Sequence, residues 1–167
     1  MKTAQFGMLA LSAVFAVSCS TTKNLNIQPK SGTNTDGTAK FAQVGNAVEL
    51  TLNVNNLTPG IHAVHIHEKG DCSAADATSA GGHWNPSKND HGKWGETHFH
   101  MGDIGNLNAD QSGNAKLVFK TDKWCMNCTD ESKNIVGKSL IIHADKDDFH
   151  TQPTGNAGGR VGCVEIK

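Results

Sequence analysis

The sequence predicts an all-β domain, a flattened antiparallel barrel or sandwich of about eight short strands with long loops. Three observations support this prediction. The 167-residue chain contains 18 glycines, which is typical of a turn-rich β-protein. Several short segments alternate between apolar and polar residues, the period of a half-buried strand. No long segment has the spacing of an amphipathic helix.

The clearest predicted strand follows the turn at Gly45-Asn46. Apolar residues occupy every second position of this segment, at Val48, Leu50, Leu52 and Val54. Alternation of this kind places one face of a strand in a core and the other in water. Weaker signals predict further strands at 25–27, 38–44, 61–68, 114–120, 139–143 and 159–166.

The histidines are concentrated in the segment 60–103, which contains seven of the nine. In the strand that opens this segment, His65 and His67 alternate with Val64 and Ile66, so the two histidines share the face opposite the apolar pair. The rest of the segment lacks periodicity, and so long a loop is uncommon unless a metal or a disulfide orders it. Because histidine is the commonest metal ligand, we predict a metal-bound loop.

The N-terminus has the features of an export signal. Lys2 precedes an apolar run at 6–17, which is too short to span a bilayer but typical of a signal peptide. The run ends near Cys19 in a sequence similar to a bacterial lipoprotein processing site. We therefore predict a lipoprotein-type signal peptide at 1–18, a lipid-anchored tether at 19–23 beginning with lipidated Cys19, and one domain at 24–167. Ordinary signal cleavage is the alternative.

Export to the periplasm or cell envelope, with membrane contact only through the lipid, would place the remaining cysteines in an oxidising compartment. These are Cys72, Cys125, Cys128 and Cys163, and the sequence alone does not choose among their three pairings. Cys125 and Cys128 form a CxxC motif, a spacing found in redox-active pairs, zinc sites and local disulfides. We favour a local disulfide because no second CxxC completes a zinc site and no helix follows.

Five motifs occur in the order found in copper,zinc superoxide dismutases, and the chain resembles that family over nearly all of its mature length. The motifs are His65-Ile66-His67-Glu68, Gly81-Gly82-His83-Trp84-Asn85-Pro86, His100-Met101-Gly102-Asp103-Ile104-Gly105-Asn106, His143 and Gly155-Asn156-Ala157-Gly158-Gly159-Arg160. The resemblance implies an immunoglobulin-like Greek-key fold, copper and zinc ions as cofactors, and dismutation of superoxide to oxygen and hydrogen peroxide.

The resemblance also implies a role for individual residues. The implied copper ligands are His65, His67, His83 and His143. The implied zinc ligands are His83, His91, His100 and Asp103, so that His83 bridges both metals. Four nitrogens suit oxidised copper, and three nitrogens with one carboxylate suit tetrahedral zinc.

Five further positions match functional residues of the family. Asp147 would accept hydrogen bonds from His65 and His91 and so link the two metal sites. His62 would support its strand from the other face without binding metal. Arg160 would attract and orient the superoxide anion. Cys72 and Cys163 match the family's intra-subunit disulfide.

The implied enzyme needs no general base besides His83, which would take up a proton and return it while superoxide is alternately oxidised and reduced at copper. The alternative is a copper- and zinc-buffering lipoprotein of the same fold with little catalysis, and the retained Arg160 favours the enzyme. A formal net charge of −1 gives no electrostatic basis for a nucleic-acid partner. A homodimer is compatible with this family, whose members differ in the surface they pair.

Overall fold

The computed structural model describes residues 21–167, which form two antiparallel β-sheets. The strands are β1 (Thr22–Asn26), β2 (Gln28–Pro29), β3 (Asp36–Val44), β4 (Ala47–Asn55), β5 (Gly60–His67), β6 (Asp103–Ala109), β7 (Ala115–Thr121), β8 (Ser139–His143) and β9 (Arg160–Glu165). One sheet has the order β1-β3-β4-β7 and the other the order β2-β9-β8-β5-β6. A 3-10 turn at Thr78–Ala80 is the one helical element in the described range. The predicted all-β sandwich is confirmed.

The hydrophobic core lies between the inner faces of the two sheets. The four alternating residues of β4 are all buried, at 1% exposure or less, and so are Val64 and Ile66 of β5. All of them belong to one apolar cluster, which also contains Trp124 from the β7–β8 loop. Each large aliphatic side chain buried in this way contributes about 1.5–3 kcal/mol to folding.

Besides the two-residue strand β2, the alternation pattern did not predict β6. Its Asp, Gly and Asn residues have low β-propensity, so its sequence resembles a loop. β6 pairs along β5, with Leu107 opposite His62 and Asp103 opposite His65, and the register shifts at the second of these pairs. A strand formed mainly by pairing with its neighbour thus delivers Asp103 to the side of β5 that carries His65.

The outer face of the five-stranded sheet is covered by loops. Every residue from His62 to His67 is buried, so the histidine face of β5 lies outside the apolar core but not in solvent. One of these loops is the connection between β5 and β6 (residues 68–102), called the covering loop below. A second, smaller apolar cluster forms under it. Its members are Cys72, Ala77, Ala80, Ile141 and Cys163. The loops therefore bury the site that lies over β5 and β8.

Strand β1 begins inside the segment 19–23 that the sequence predicts as a tether. Thr22 and Lys23, which we assigned to the tether, are the first residues of β1 and pair with Ala42 and Phe41. The predicted signal peptide and Cys19 lie outside the described residues. Within residues 21–167, no helix is long and apolar enough to cross a membrane.

Candidate metal centre

Four buried histidines meet on the covered face of the five-stranded sheet. His65 and His67 come from β5, and His143 is the last residue of β8. His83 lies in the loop between β5 and β6 and pairs with His67 as an isolated β-bridge. One ring nitrogen from each lies within 4.8 Å of the others. The Nε2 atoms of His67 and His143 are 3.4 Å apart. These are the residues predicted for copper, and the structure brings them together.

A second buried group shares His83 and contains the residues predicted for zinc: His83, His91, His100 and Asp103. Asp103 is at its centre. The Oδ1 atom of Asp103 is 2.9 Å from His83 Nδ1 and 3.3 Å from His100 Nδ1, and its Oδ2 is 3.0 Å from His91 Nδ1. His83 therefore turns Nδ1 towards this group, which leaves Nε2 for the first.

The second ring nitrogen of most of these histidines faces a fixed hydrogen-bond acceptor. The contacts are His67 Nδ1 to Gly81 O (2.9 Å), His143 Nδ1 to Gly158 O (3.4 Å), His100 Nε2 to Asn89 O (3.1 Å), and the Nε2 atoms of His65 and His91 to Asp147 (2.8 and 2.9 Å). Only an N–H can donate to these oxygens, so each contact leaves the opposite nitrogen with a free lone pair in the neutral ring. Those free nitrogens point into the two ligand groups, where they lie close to one another.

Asp147 joins the two groups. Its Oδ2 accepts a hydrogen bond from His65 and its Oδ1 accepts one from His91. The side-chain amide of Asn106 holds the Asp147 backbone at two points, accepting from its N–H at 2.8 Å and donating to its carbonyl at 2.9 Å. Burial raises the pKa of Asp147, but the hydrogen bonds from the two histidines outweigh it and hold the pKa below its usual range.

Gln152 fixes the backbone of His91 in the same two-point manner. Its Oε1 accepts from His91 N–H at 2.8 Å, and its Nε2 donates to His91 O at 2.9 Å. Gly155, at φ +69°, lies so close that a Cβ would collide with Asp147 and His91. Sequence reasoning did not assign Asn106, Gln152 or Gly155 a role of this kind. The family motifs include Asn106 and Gly155, but no sequence signal indicates Gln152.

The electrostatics of the first group suit metal binding. Burial lowers the pKa of His65, and it lowers those of His67 and His143 further. The pKa of His83 falls to about 4 for the same reason. Neutral imidazole is the form that binds metal. His65 Nδ1 and His83 Nε2 are buried without a hydrogen-bond partner, an arrangement that is costly unless a cation fills the space between them.

The second group is more strongly charged than the first, because it contains the carboxylate of Asp103. Burial raises the pKa of Asp103, but the three histidines around it, His100, His83 and His91, outweigh that effect and hold this pKa far below its usual range. Burial lowers the pKa of His91, yet the nearby Asp103 carboxylate and the hydrogen bond to Asp147 outweigh that effect and raise this pKa to about 9. His91 Nδ1 lies near Asp103 but not in hydrogen-bond geometry. Three imidazoles and one carboxylate fit a closed tetrahedral zinc site.

Arg160 lies at the edge of the first group, opposite His143 in the β8–β9 pairing. Its Nη1 donates to Ala77 O and its Nη2 to Gly81 O, both at 2.7 Å. Gly81 O also accepts from His67, so one carbonyl positions both side chains. Burial lowers the pKa of Arg160 from its usual value, which is so high that the group stays cationic at neutral pH.

The remaining predicted residues support the site from further away. His62 points to the core side of β5, and its Nδ1 and Nε2 lie 2.8 Å from His143 O and Thr58 O, respectively. A disulfide joins Cys72 in the covering loop to Cys163 in β9, and a second joins Cys125 to Cys128. The buried Lys30, which sequence reasoning missed, donates to Cys72 O.

Comparisons with known proteins agree with this arrangement. Residues 35–166 match the family model for copper/zinc superoxide dismutase (SODC). The extracellular Cu-Zn superoxide dismutase of Haemonchus contortus is 36% identical over 138 residues, covering 79% of this chain and 73% of that protein. The Cu-Zn superoxide dismutase of Paramecium bursaria Chlorella virus 1 is 36% identical over 139 residues, covering 78% and 71%.

A similar fold is known from a crystal structure, that of a double mutant of a SOD-like protein from Bacillus subtilis. The TM-score is 0.77 at 30% identity, and the likeness covers 86% of this chain and 95% of the other. The family model matches most of the chain, and the matched range contains all seven residues of the two buried groups. The chain therefore belongs to the copper/zinc superoxide dismutase family.

Proposed function

We propose that the two buried groups hold one copper and one zinc ion, and that the chain uses them to dismutate superoxide to oxygen and hydrogen peroxide. The copper ligands are His65, His67, His83 and His143. The zinc ligands are His83, His91, His100 and Asp103. The observation that carries the proposal is the position of His83, whose two ring nitrogens face two different, complete ligand groups.

Copper held by the first group would supply the one-electron oxidation and reduction of superoxide, and zinc held by the second group would fix the position of the His83 ring. His83 is the proton carrier, acting at Nε2. No group within residues 21–167 hydrogen-bonds that buried atom, so no described side chain competes for the proton it takes up. The opposite nitrogen lies 2.9 Å from Asp103, among the zinc ligands, which keeps the ring aligned while the proton enters and leaves.

Arg160 binds the substrate. Its two contacts with backbone carbonyls fix the guanidinium but use only some of its five N–H groups. The remaining donors and the positive charge attract a small anion and orient it beside His143 and His67. Asp147 and Gln152 act on the ligands rather than on superoxide, because they contact only the histidines and their loops.

Export from the cytoplasm fits the two disulfides and the extracellular relatives from nematodes. For the exported protein, we propose that lipid on Cys19 anchors the chain to a membrane of the cell envelope, with the domain facing the periplasm. Mass spectrometry of the protein from membranes tests this, since an unmodified N-terminal cysteine or soluble protein would contradict it. A homodimer is a separate prediction, tested by sedimentation.

The activity is tested by measuring metal content and superoxide consumption of the same samples by stopped-flow spectrophotometry. We expect rapid consumption in the copper- and zinc-loaded chain and its loss after chelation. His83→Ala should remove the magnetic signature of the shared imidazole from the electron spin resonance spectrum of a sample with copper in both groups. A fully loaded wild-type chain with no dismutation would instead indicate metal buffering.

A further inference from the structure

The Cys125–Cys128 disulfide lies in the β7–β8 loop and takes no part in the proposed reaction. Both of its cysteines are partly exposed, whereas Cys72 and Cys163 are 2% and 0% exposed. Water-soluble thiols can therefore approach one disulfide and not the other. Exposed disulfides are in general the more easily reduced ones.

The two cysteines of this pair have neighbours that differ in exposure. Cys125 stands between Trp124 and Met126, which are 0% and 7% exposed and pack in the hydrophobic core. Cys128 is followed by Thr129 and preceded by an asparagine, both of them exposed. Attack by a thiolate is therefore favoured at Cys128, with Cys125 as the leaving sulfur.

The loop keeps its shape through bonds other than the disulfide. Cys125 N–H donates to Lys133 O at 2.9 Å, and Ile135 N–H donates to Cys125 O at 3.1 Å, which closes the loop at its base. The Asn134 side chain accepts from Asn127 N–H at 3.2 Å and donates to Cys128 O at 3.4 Å. The turn that carries the cysteines is thus held across the loop from the opposite side.

The same turn is also tied to the body of the domain. Met126 N–H donates to the Gln43 side chain at 3.0 Å, and the Trp124 indole donates to Met101 O at 2.8 Å. The disulfide itself spans a sequence separation of 3, against 91 for Cys72–Cys163. A bond that closes so short a loop restricts the unfolded chain far less. Opening it should leave the fold intact.

We propose that Cys125–Cys128 is a thiol-exchange site, which thiol compounds open and close reversibly in the folded protein. A thiolate attacks Cys128 Sγ, the S–S bond breaks, and the electron pair passes to Cys125 Sγ, which is then protonated. A second thiolate attacks the reagent's sulfur in the mixed disulfide and releases Cys128 as a thiolate, which also takes a proton. The protein gains two electrons and two protons, and two thiols become one disulfide.

The test is a redox titration of the zinc-loaded chain in mixtures of reduced and oxidised glutathione. Each sample is quenched with acid, and the free cysteines are alkylated and located by peptide mass spectrometry. We expect Cys125–Cys128 to be half reduced at a [GSH]²/[GSSG] ratio at least about tenfold lower than Cys72–Cys163. A glutathione adduct, where one is trapped, should be on Cys128. Equal midpoints, or earlier opening of Cys72–Cys163, would overturn the proposal.

Circular dichroism on the same samples separates exchange in the folded protein from exchange after unfolding. We expect the β-sheet spectrum to persist when Cys125–Cys128 is open, and reoxidation to restore the starting peptide map. The matched variant Cys125→Ser/Cys128→Ser should stay folded and lose the low-ratio transition. Loss of the spectrum in step with opening, or failure of this variant to fold, would show that the bond is structural.

Discussion

Each histidine of the metal centre has its role set by what its second ring nitrogen contacts. His67 donates to Gly81 O and His65 to Asp147, so both present a free lone pair to the first group. His83 differs from them, because its Nδ1 faces Asp103 and no group within residues 21–167 hydrogen-bonds its Nε2. In the proposed mechanism, the same residue type thus serves as a fixed ligand at most positions and as a proton carrier at one.

Substitution of Arg160 should lower the rate of dismutation without emptying the metal sites. For Arg160→Ala we expect the rate constant to fall by about tenfold and to depend less on ionic strength, because the cation that attracts superoxide is lost. Arg160→Lys should be intermediate, since an ammonium keeps the charge but not the two-pronged contact with Ala77 and Gly81. Stopped-flow rates at several salt concentrations check this. Wild-type behaviour in the alanine variant at equal metal content would contradict it.

Zinc binding to the metal-free chain should release a proton from His91 at pH 7. The pKa of His91 is raised to about 9, so this residue is protonated at pH 7 when no metal is present. Zinc requires the lone pair on Nδ1 and must displace about one proton there. The release should shrink as the pH rises through 9, where the ring is already neutral. Calorimetry in buffers of different ionisation enthalpy measures it. A release that does not change between pH 7 and pH 10 would exclude this assignment.

Contacts between loops hold the residues of the second, proposed zinc-binding group in place. Gln152 lies in the β8–β9 loop, whereas His91 lies in the β5–β6 loop, so their contact ties two segments 61 positions apart. Asn106 makes the equivalent tie between β6 and Asp147. The β8–β9 loop thus contacts His91 at its backbone, through Gln152, and at its side chain, through Asp147. These contacts join the β5–β6 and β8–β9 loops at the zinc-binding group.

Removal of the Gln152 amide should weaken zinc binding. Gln152→Ala loses two hydrogen bonds to the His91 backbone, each contributing about 1 kcal/mol, and the zinc affinity should fall by about tenfold or more. Gln152→Glu keeps the acceptor for His91 N–H but not the donor for His91 O, so it should lie between alanine and wild type. Competition with a chromophoric chelator gives the affinities. Equal values for all three proteins would show that the contact does not position the ligand.

The sequence could predict local patterns but not contacts that depend on the folded chain. β4 is predictable because the alternation from Val48 to Val54 is contained within the strand. β6 is not, since its Gly105 and Asn106 become strand residues only through pairing with β5. The metal groups were predictable because the family motifs mark them. The contact between Gln152 and His91 was not, because no spacing in the sequence indicates that a side-chain amide reaches a distant backbone.

Across the whole molecule, the covering loop is fastened to the sheet at Cys72. This residue forms the disulfide with Cys163 in β9, accepts a hydrogen bond from Lys30, and donates its N–H to Glu165 Oε1 at 3.1 Å. The same loop supplies Ala77 O to Arg160. Stability of the domain and placement of Arg160, the proposed substrate-binding residue, are therefore expected to depend on one attachment point.

Cys72→Ala/Cys163→Ala should both destabilise the domain and slow the reaction. The bond closes a long loop, so its loss should cost about 3 kcal/mol, a fall in Tm of roughly 10 °C. Release of the loop also frees Ala77 from Arg160, so the dismutation rate should fall by more than any loss of bound metal explains. Calorimetry and stopped-flow rates normalised to copper content measure the two effects. Cys125→Ser/Cys128→Ser is the matched control and should change both quantities little. We predict that only the Cys72–Cys163 disulfide fastens the covering loop. An equally large fall in Tm in the control variant would contradict this prediction.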